Sequence, residues 1–379
     1  MCWPRRRGWG CAGGGRKAEQ QSSRAADKTV GTGPAHCLGL SGLVAGLDLG
    51  VHLQSARMSN QTGGDAGSRL RELMSAGCVA APGAFNALCA RAIARGGFSA
   101  CYVSGAATSV SAGVPDVGLL TLEHFCRVIR EVADAARADD GSRLPVMADA
   151  DTGFGEAEMV RRTVIEYARA GAAGLHLEDQ RFPKRCGHLD GKELVPTDHM
   201  VEKIEWARKA SDDGKSGIVI CARTDARGVE GFEGAVKRAK AYVEAGAEMI
   251  FPEGLASEEE FGRFAREMGR GGEQSGASQS LSPGVPGNGH GVPWLLANMT
   301  EFGKTPIIPL KRFEAMGYSI VIYPVSLLRV AMGAVTRALE VLKAEGSVEK
   351  LLGEMQSRKE LYGLIGYEPG KPWEFPSGE

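Results

Sequence analysis

Two short stretches carry residue types that could do chemistry together. Residues 184–188 read Lys-Arg-Cys-Gly-His, and residues 149–155 read Asp-Ala-Asp-Thr-Gly-Phe-Gly. In the first, Lys184, Arg185 and His188 surround Cys186, a setting that lowers a thiol's pKa and makes its proton easier to give up. The same cationic groups are donors for an anionic ligand. Pro183 and Gly187 bracket the thiol in a non-helical stretch. In the second, two carboxylates stand two residues apart at the end of an apolar run. On an extended chain residues so spaced point the same way, so Asp149 and Asp151 can reach one cation. Oxygen donors alone suit Mg²⁺, with Mn²⁺ as the alternative. An Asp-x-Asp pair by itself is as readily a helix cap; Glu178, which ends the following apolar run, favours the metal.

Arg223, Arg329 and Arg358 add a cationic set. Arginine forms paired bonds to carboxylates, so several of them on one site imply a di- or tricarboxylate ligand. Taken singly each is more often a surface ion-pair member, Arg358 above all. His176, within an apolar run, reads as a hydrogen-bonded core histidine rather than a ligand.

These groups need a scaffold. Eight short apolar runs recur along the chain: 79–83, 100–104, 145–148, 174–178, 217–222, 248–252, 294–298 and 319–323. Amphipathic, alanine-rich stretches lie between them, such as 156–170 and 232–245, each followed by glycine (Gly171, Gly246). Strand–helix alternation implies parallel pairing, and eight such units over about 250 residues predict an α/β fold of the closed (β/α)₈ TIM-barrel type. An open doubly wound sheet would normally show fewer strands and a glycine-rich dinucleotide turn. In a barrel the strand C-termini converge on one mouth. Here those ends carry Asn86, Ser104-Gly105, Asp149, Asp151, Glu178-Asp179, Arg223-Thr224-Asp225, Glu253, Asn298 with Thr300, and Tyr323 with Ser326 and Arg329.

Residues 1–57 are basic, acid-poor and rich in Gly, Ala and Ser, and are set apart from the fold. They read either as an organellar transit peptide, which would place the protein in the mitochondrial matrix, or as a wrongly included stretch before a true start at Met58, which would leave it cytoplasmic. Residues 58–379 are expected to form the barrel, the catalytic part if the mouth residues act together, interrupted at about 269–291 by a Gly/Ser/Pro-rich insert expected to be a disordered surface loop. The formal net charge of −1 gives no reason to expect nucleic acid or an anionic membrane as partner. The nine cysteines include no Cys-x-x-Cys pair, against a zinc site or disulfide framework.

The Lys184–His188 pentapeptide, with Tyr102-Val103-Ser104-Gly105, Asp149–Gly155, Ala222-Arg223-Thr224-Asp225-Ala226, Phe251-Pro252-Glu253, Asn298-Met299-Thr300-Glu301-Phe302-Gly303 and Tyr323–Arg329, resembles the isocitrate lyase and phosphoenolpyruvate mutase superfamily from about Arg69 to Tyr367. The Cys loop resembles the superfamily's lyases, and Arg185 in place of a second lysine resembles the methylisocitrate branch. The resemblance implies a barrel whose C-terminal helix swaps between subunits of a homotetramer. It also implies a retro-aldol cleavage, within the methylcitrate cycle of propionate catabolism, of a small tricarboxylate into pyruvate and succinate. Asp149, Asp151 and Glu178 would serve Mg²⁺. Cys186 would be the catalytic acid, with Lys184, His188, Tyr102 and the gating-loop residue Asp116 in the catalytic set. Ser104, Gly105, Ala106, Gly187, Arg223, Glu253, Asn298, Met299, Thr300, Arg329 and Arg358 would contact substrate. Ala106 and Ala107 stand where the family commonly has glycine. Tyr102 and a metal-bound water are the alternatives for the base. Isocitrate, phosphonopyruvate and oxaloacetate are the alternative substrates, and a non-catalytic binding barrel is the alternative class.

Overall fold

The computed structural model describes residues 66–138, 140–185, 187, 191–270 and 292–373. The leader, the body of the insert, Cys186 and His188 lie outside the described residues. Eight strands run β1 Val79–Pro82, β2 Cys101–Val103, β3 Val146–Asp149, β4 Gly174–Glu178, β5 Val219–Thr224, β6 Met249–Pro252, β7 Trp294–Asn298 and β8 Ile320–Tyr323. The helices are α1 Ala66–Ala76, α2 Ala87–Arg95, α3 Gly105–Ser111, α4 Leu122–Ala135, α5 Ala157–Ala170, α6 Thr197–Asp213, α7 Gly231–Glu244, α8 Glu258–Glu267, α9 Leu310–Ala315, α10 Ser326–Glu345 and α11 Arg358–Leu364.

All paired strands are parallel, in the order β1-β8-β7-β6-β5-β4-β3-β2. The seam between β1 and β2 is closed by a parallel bridge from Gly83 to Tyr102, with Ala84 N donating to Tyr102 O at 2.8 Å. This is the expected (β/α)₈ barrel. β5 differs from the sequence reading: it starts at Val219 and runs through Arg223 and Thr224 rather than stopping at Ala222. The reason lies at its start, where Gly217 has φ +61 and turns the chain.

Alternation along each strand sorts side chains into two cores. Leu175, Leu177, Ile220, Ala222, Ile250 and Leu295 face outward into one cluster shared with Phe125, Ile129 and Val132 of α4. Met147, Val219, Cys221, Met249, Phe251 and Ile320 face the barrel interior. Leu70 and Met74 join that inner cluster from α1, a plug at the N-terminal end of the strands. There Glu248, 2% exposed, bonds to Arg71 of α1 at 2.8 Å and pairs with Arg208 of α6. The same alternation turns the last inward residues of β3, β4, β5 and β7, namely Asp149, Glu178, Arg223 and Asn298, toward the opposite mouth. Tyr323 packs instead against the outer cluster.

The 20-residue α10 buries none of its own residues within one chain, leaving Val330, Leu339 and Leu342 exposed. No described helix is long and apolar enough to cross a membrane.

Candidate active site

Asp149 ends β3, and Asp151 follows with φ +47, in the left-handed region. The two carboxylates therefore meet through a turn, not through the strand alternation expected from their spacing. Asp151 N donates to Asp149 Oδ1 at 2.9 Å, and Tyr167 Oη fixes the Asp149 carbonyl at 2.8 Å. Gly105 N donates to Asp149 Oδ2 at 3.1 Å. A Cβ on Gly105 would lie 2.6 Å from Asp149 Oδ2 and 3.2 Å from Asp151 Oδ1, so glycine there is what leaves both carboxylates room.

Lys184 reaches the pair from the loop after β4. Its ammonium lies 2.8 Å from Asp151 Oδ1 and pairs with Asp116 of the α3–α4 loop. Glu178 is 1% exposed, with Arg223 Nη1 at 3.3 Å from Oε2, and neither of its oxygens has a hydrogen bond among the described residues. Arg223 also donates to Asp225 at 2.9 and 3.2 Å and lies 3.8 Å from Glu253. Asn298 Nδ2 donates to Glu253 Oε2 at 3.1 Å. A Cβ on Gly187 would stand 2.5 Å from Glu253 Cγ and 2.6 Å from Arg223 Nη2, so the Cys loop's glycine lies directly on these two side chains.

The charges push the carboxyl groups apart. Burial raises Asp149, but His176, Lys184 and Arg223 outweigh it and hold it below its ordinary value. Burial and the Asp149 charge raise Asp151 to about 6 despite Lys184. Burial raises Glu178 well above the carboxylate range. Burial opposes ionisation of Lys184 and Arg223 too, yet the surrounding carboxylates keep both firmly charged. In this buried region Asp116, Asp149, Asp151, Glu178, Asp225 and Glu253 outnumber Lys184, Lys192 and Arg223.

A divalent cation fits this crowding of carboxyl groups, which pushes Glu178 and Asp151 up, and the Glu178 oxygens that have no hydrogen bond among the described residues. No three described His, Cys, Asp or Glu side chains close on one point tightly enough to hold an ion alone. That donor set suits Mg²⁺, which keeps several waters and uses one or two carboxylates, rather than zinc.

Tyr102 Oη meets His176 Nε2 at 2.7 Å, and His176 Nδ1 stands 3.6 Å from Asp149 Oδ1. Burial lowers His176 to about 4, so it is neutral near pH 7. Burial, then Asp149, raises Tyr102 well above its ordinary value, so the phenol stays protonated. His176 is the buried, bonded histidine that its apolar run implied, and it stands beside the Asp149 carboxylate.

The remaining expected contacts divide. Ser104 caps α3, its hydroxyl accepting from Ala107 N at 3.2 Å, and Ala106 is half-buried on the same helix. Thr300 is buried, with Arg329 Nη1 3.4 Å from its hydroxyl. Arg329 pairs chiefly with Glu301 at 3.0 Å and packs on the Phe302 ring. The Met299 side chain belongs to the outer apolar cluster, where its sulfur accepts from Ile308 N. Arg358 is exposed at the start of α11, and its side chain makes no hydrogen bond or ion pair among the described residues.

Residues without a prior role complete the site. Asp179, fully buried, accepts from Thr224 Oγ1, Tyr242 Oη and Asp225 N at 2.7, 2.8 and 2.9 Å, bracing the end of β5 from behind. Lys192 bridges Gly187 O and Asp225. Asp179 and Asp225 were legible only as strand-end residues, Asp179 directly after Glu178 and Asp225 two residues after Arg223; Lys192 gave no signal.

The phosphoenolpyruvate phosphomutase family matches residues 70–343. A protein of Corynebacterium glutamicum described as probable 2-methylisocitrate lyase 1 is 48% identical over 289 residues, covering 76% of this chain and 84% of that one. The crystal structure of 2,3-dimethylmalate lyase aligns at TM-score 0.68 and 34% identity, covering 80% of this chain and 92% of that one. Phosphonopyruvate hydrolase in complex with oxalate and Mg²⁺ aligns at TM-score 0.65 and 28% identity, over 80% and 95%. With that match across the barrel and both carboxylate-bearing strands, the chain belongs to the phosphoenolpyruvate phosphomutase family.

Proposed function

We propose that this protein is a Mg²⁺-dependent carbon–carbon lyase that cleaves 2-methylisocitrate to pyruvate and succinate. The observation that carries the reading is the Glu178–Arg223 pair: a buried acid with no hydrogen bond among the described residues beside a fixed guanidinium, at the mouth that also holds Asp149 and Asp151. The similarity to proteins described as 2-methylisocitrate lyases supports the choice of substrate.

In this reading Asp149 and Asp151 hold the cation, and Glu178 supports its hydration. When bound, the cation supplies positive charge that lowers the pKa of the substrate's hydroxyl. Arg223, braced through Nε and Nη2 by Asp225, faces a substrate carboxylate with Nη1. Transfer of the hydroxyl proton to a water in the site, the alternative base to Tyr102, lets the C2–C3 bond break. The electron pair passes to C3 and is delocalised into the adjoining carboxylate, where nearby donors stabilise it. The Cys186 thiol then gives its proton to C3, completing succinate, while C2 becomes the carbonyl of pyruvate. Tyr102, held as a neutral phenol, serves as a hydrogen-bond donor rather than as the base.

The apolar residues that α10 leaves exposed support a helix swap between copies in a homotetramer.

Pyruvate release from 2-methylisocitrate, compared with glyoxylate release from isocitrate and with turnover of 2,3-dimethylmalate, tests the substrate. Pyruvate release should be the fastest, and should vanish with chelator or in Cys186→Ser. Faster turnover of either competitor would reassign the substrate. Phosphonopyruvate or oxaloacetate turnover that survives Cys186→Ser would overturn the lyase reading.

A further inference from the structure

The backbone on either side of position 186 is tied by two side chains that carry no role in the reaction above. Upstream, the Gln180 amide pairs with Arg185 as a neighbouring strand would, Nε2 donating to Arg185 O at 2.8 Å and Oε1 accepting from Arg185 N at 2.9 Å. Downstream, Lys192 Nζ donates to Gly187 O at 2.5 Å and to Asp225 Oδ1 at 2.8 Å. The Lys192 side chain is 5% exposed and that of Asp225 is 0% exposed. An ammonium taken so far out of water costs several kcal/mol to desolvate, which strong acceptors must offset. Both acceptors are parts of the site: Asp225 fixes the Arg223 guanidinium, and Gly187 lies against Glu253 and Arg223.

We infer that Lys192 is a positioning residue: by joining Gly187 O to Asp225 it sets the backbone at Gly187 and the Arg223 guanidinium as one unit. The inference rests on the lyase reading. Its rival is a lysine that merely neutralises Asp225. Such a lysine would change how much protein folds, and not what each folded site does.

Lys192→Met keeps most of the packing and removes the donor, while Lys192→Ala leaves space for a small amine. In the full-length enzyme with Mg²⁺, both should lower kcat about 10- to 100-fold with a smaller change in KM. Added ethylammonium should restore part of kcat to Lys192→Ala, and tetramethylammonium at the same ionic strength should not. A kcat within about threefold of wild type, or a loss in Lys192→Ala that ethylammonium does not relieve, overturns the inference. Should both variants fail to fold, Lys192→Arg, which keeps a donor and the charge, should retain most of kcat; if it does not, the role is structural and the inference falls. Peptide-resolved alkylation of Cys186 by iodoacetamide needs no substrate. Should the wild type not cleave 2-methylisocitrate, the proposed substrate falls alone and alkylation decides for Lys192. A rate in Lys192→Met changed more than about threefold supports it, and a smaller change overturns it.

Discussion

The ammonium of Lys184 rests 2.8 Å from Asp151 Oδ1, so the chain supplies a cation of its own to the carboxylates. Lys184 is 3% exposed and faces Asp116 as well. Removing one partner of such a buried cluster leaves like charges facing each other, at a cost of about 3–5 kcal/mol. Lys184→Met should therefore lower the melting temperature of the metal-free protein. Mg²⁺ should restore more of it than it adds to wild type, because the ion would replace the missing charge. Equal Mg²⁺ responses in a thermal melt would show that the ion and the ammonium do not share Asp151.

Gly105 gives a second handle on the same place. Its missing Cβ leaves the space between Asp149 Oδ2 and Asp151 Oδ1 open. Gly105→Ala should weaken Mg²⁺ binding, read by calorimetry, by at least about tenfold. The melting temperature of the metal-free protein should fall only slightly, since the carboxylate ends can shift. Unchanged affinity would place the ion elsewhere.

Asp225 makes a prediction in acid. Burial opposes its ionisation, but Arg223 and Lys192 hold it down at about 2, against 3.8 for the free side chain. A carboxyl held below its unfolded value stabilises the fold fully above that value, and its contribution is lost as pH falls toward the folded one. The difference amounts to about 2 kcal/mol between pH 4 and pH 2. Asp225→Asn should be less stable than wild type at pH 6 and lose less on going from pH 4 to pH 2. Parallel urea denaturation curves across that window would show that Asp225 is not depressed.

Within the barrel wall, Gly174 begins β4 where an added Cβ would lie 2.7 Å from Met147 Sδ and 3.2 Å from both Leu70 and Val219. Gly174→Ala should overpack the inner core and destabilise the protein by about 1–3 kcal/mol. No loss on urea denaturation would mean that the α1 plug can withdraw.

Much of this was legible in the sequence because strands buried on both faces read as short apolar runs, and the residue ending each run marks the mouth. Glu178 and Arg223 stand where that logic put them. Asp151 did not follow it: its left-handed backbone, not alternation, brings it to Asp149. Met299 sits in a run of polar neighbours, yet its side chain turns outward into apolar packing. Lys192 was invisible because nothing local distinguishes a buried lysine in Gly-Lys-Glu from a solvated one. Its partners, Gly187 and Asp225, are 5 and 33 residues away in the chain. Arg358 stands on α11, which packs near α2.

The Gly/Ser/Pro-rich insert leaves the barrel after Arg270 and rejoins it before β7. Arg270 Nε donates to Pro293 O at 2.7 Å and Nη1 to Ser319 Oγ at 3.2 Å, so exit and return share one clasp. That clasp sits at the strands' N-terminal ends, the face away from the carboxylates. The position is thus a natural port for protein engineering. Replacing residues 272–290 by a short Gly-Ser bridge should leave turnover untouched, and a reporter domain grafted there should ride on the enzyme without obstructing its mouth. Closing the shorter loop should even stabilise the fold by about 1 kcal/mol.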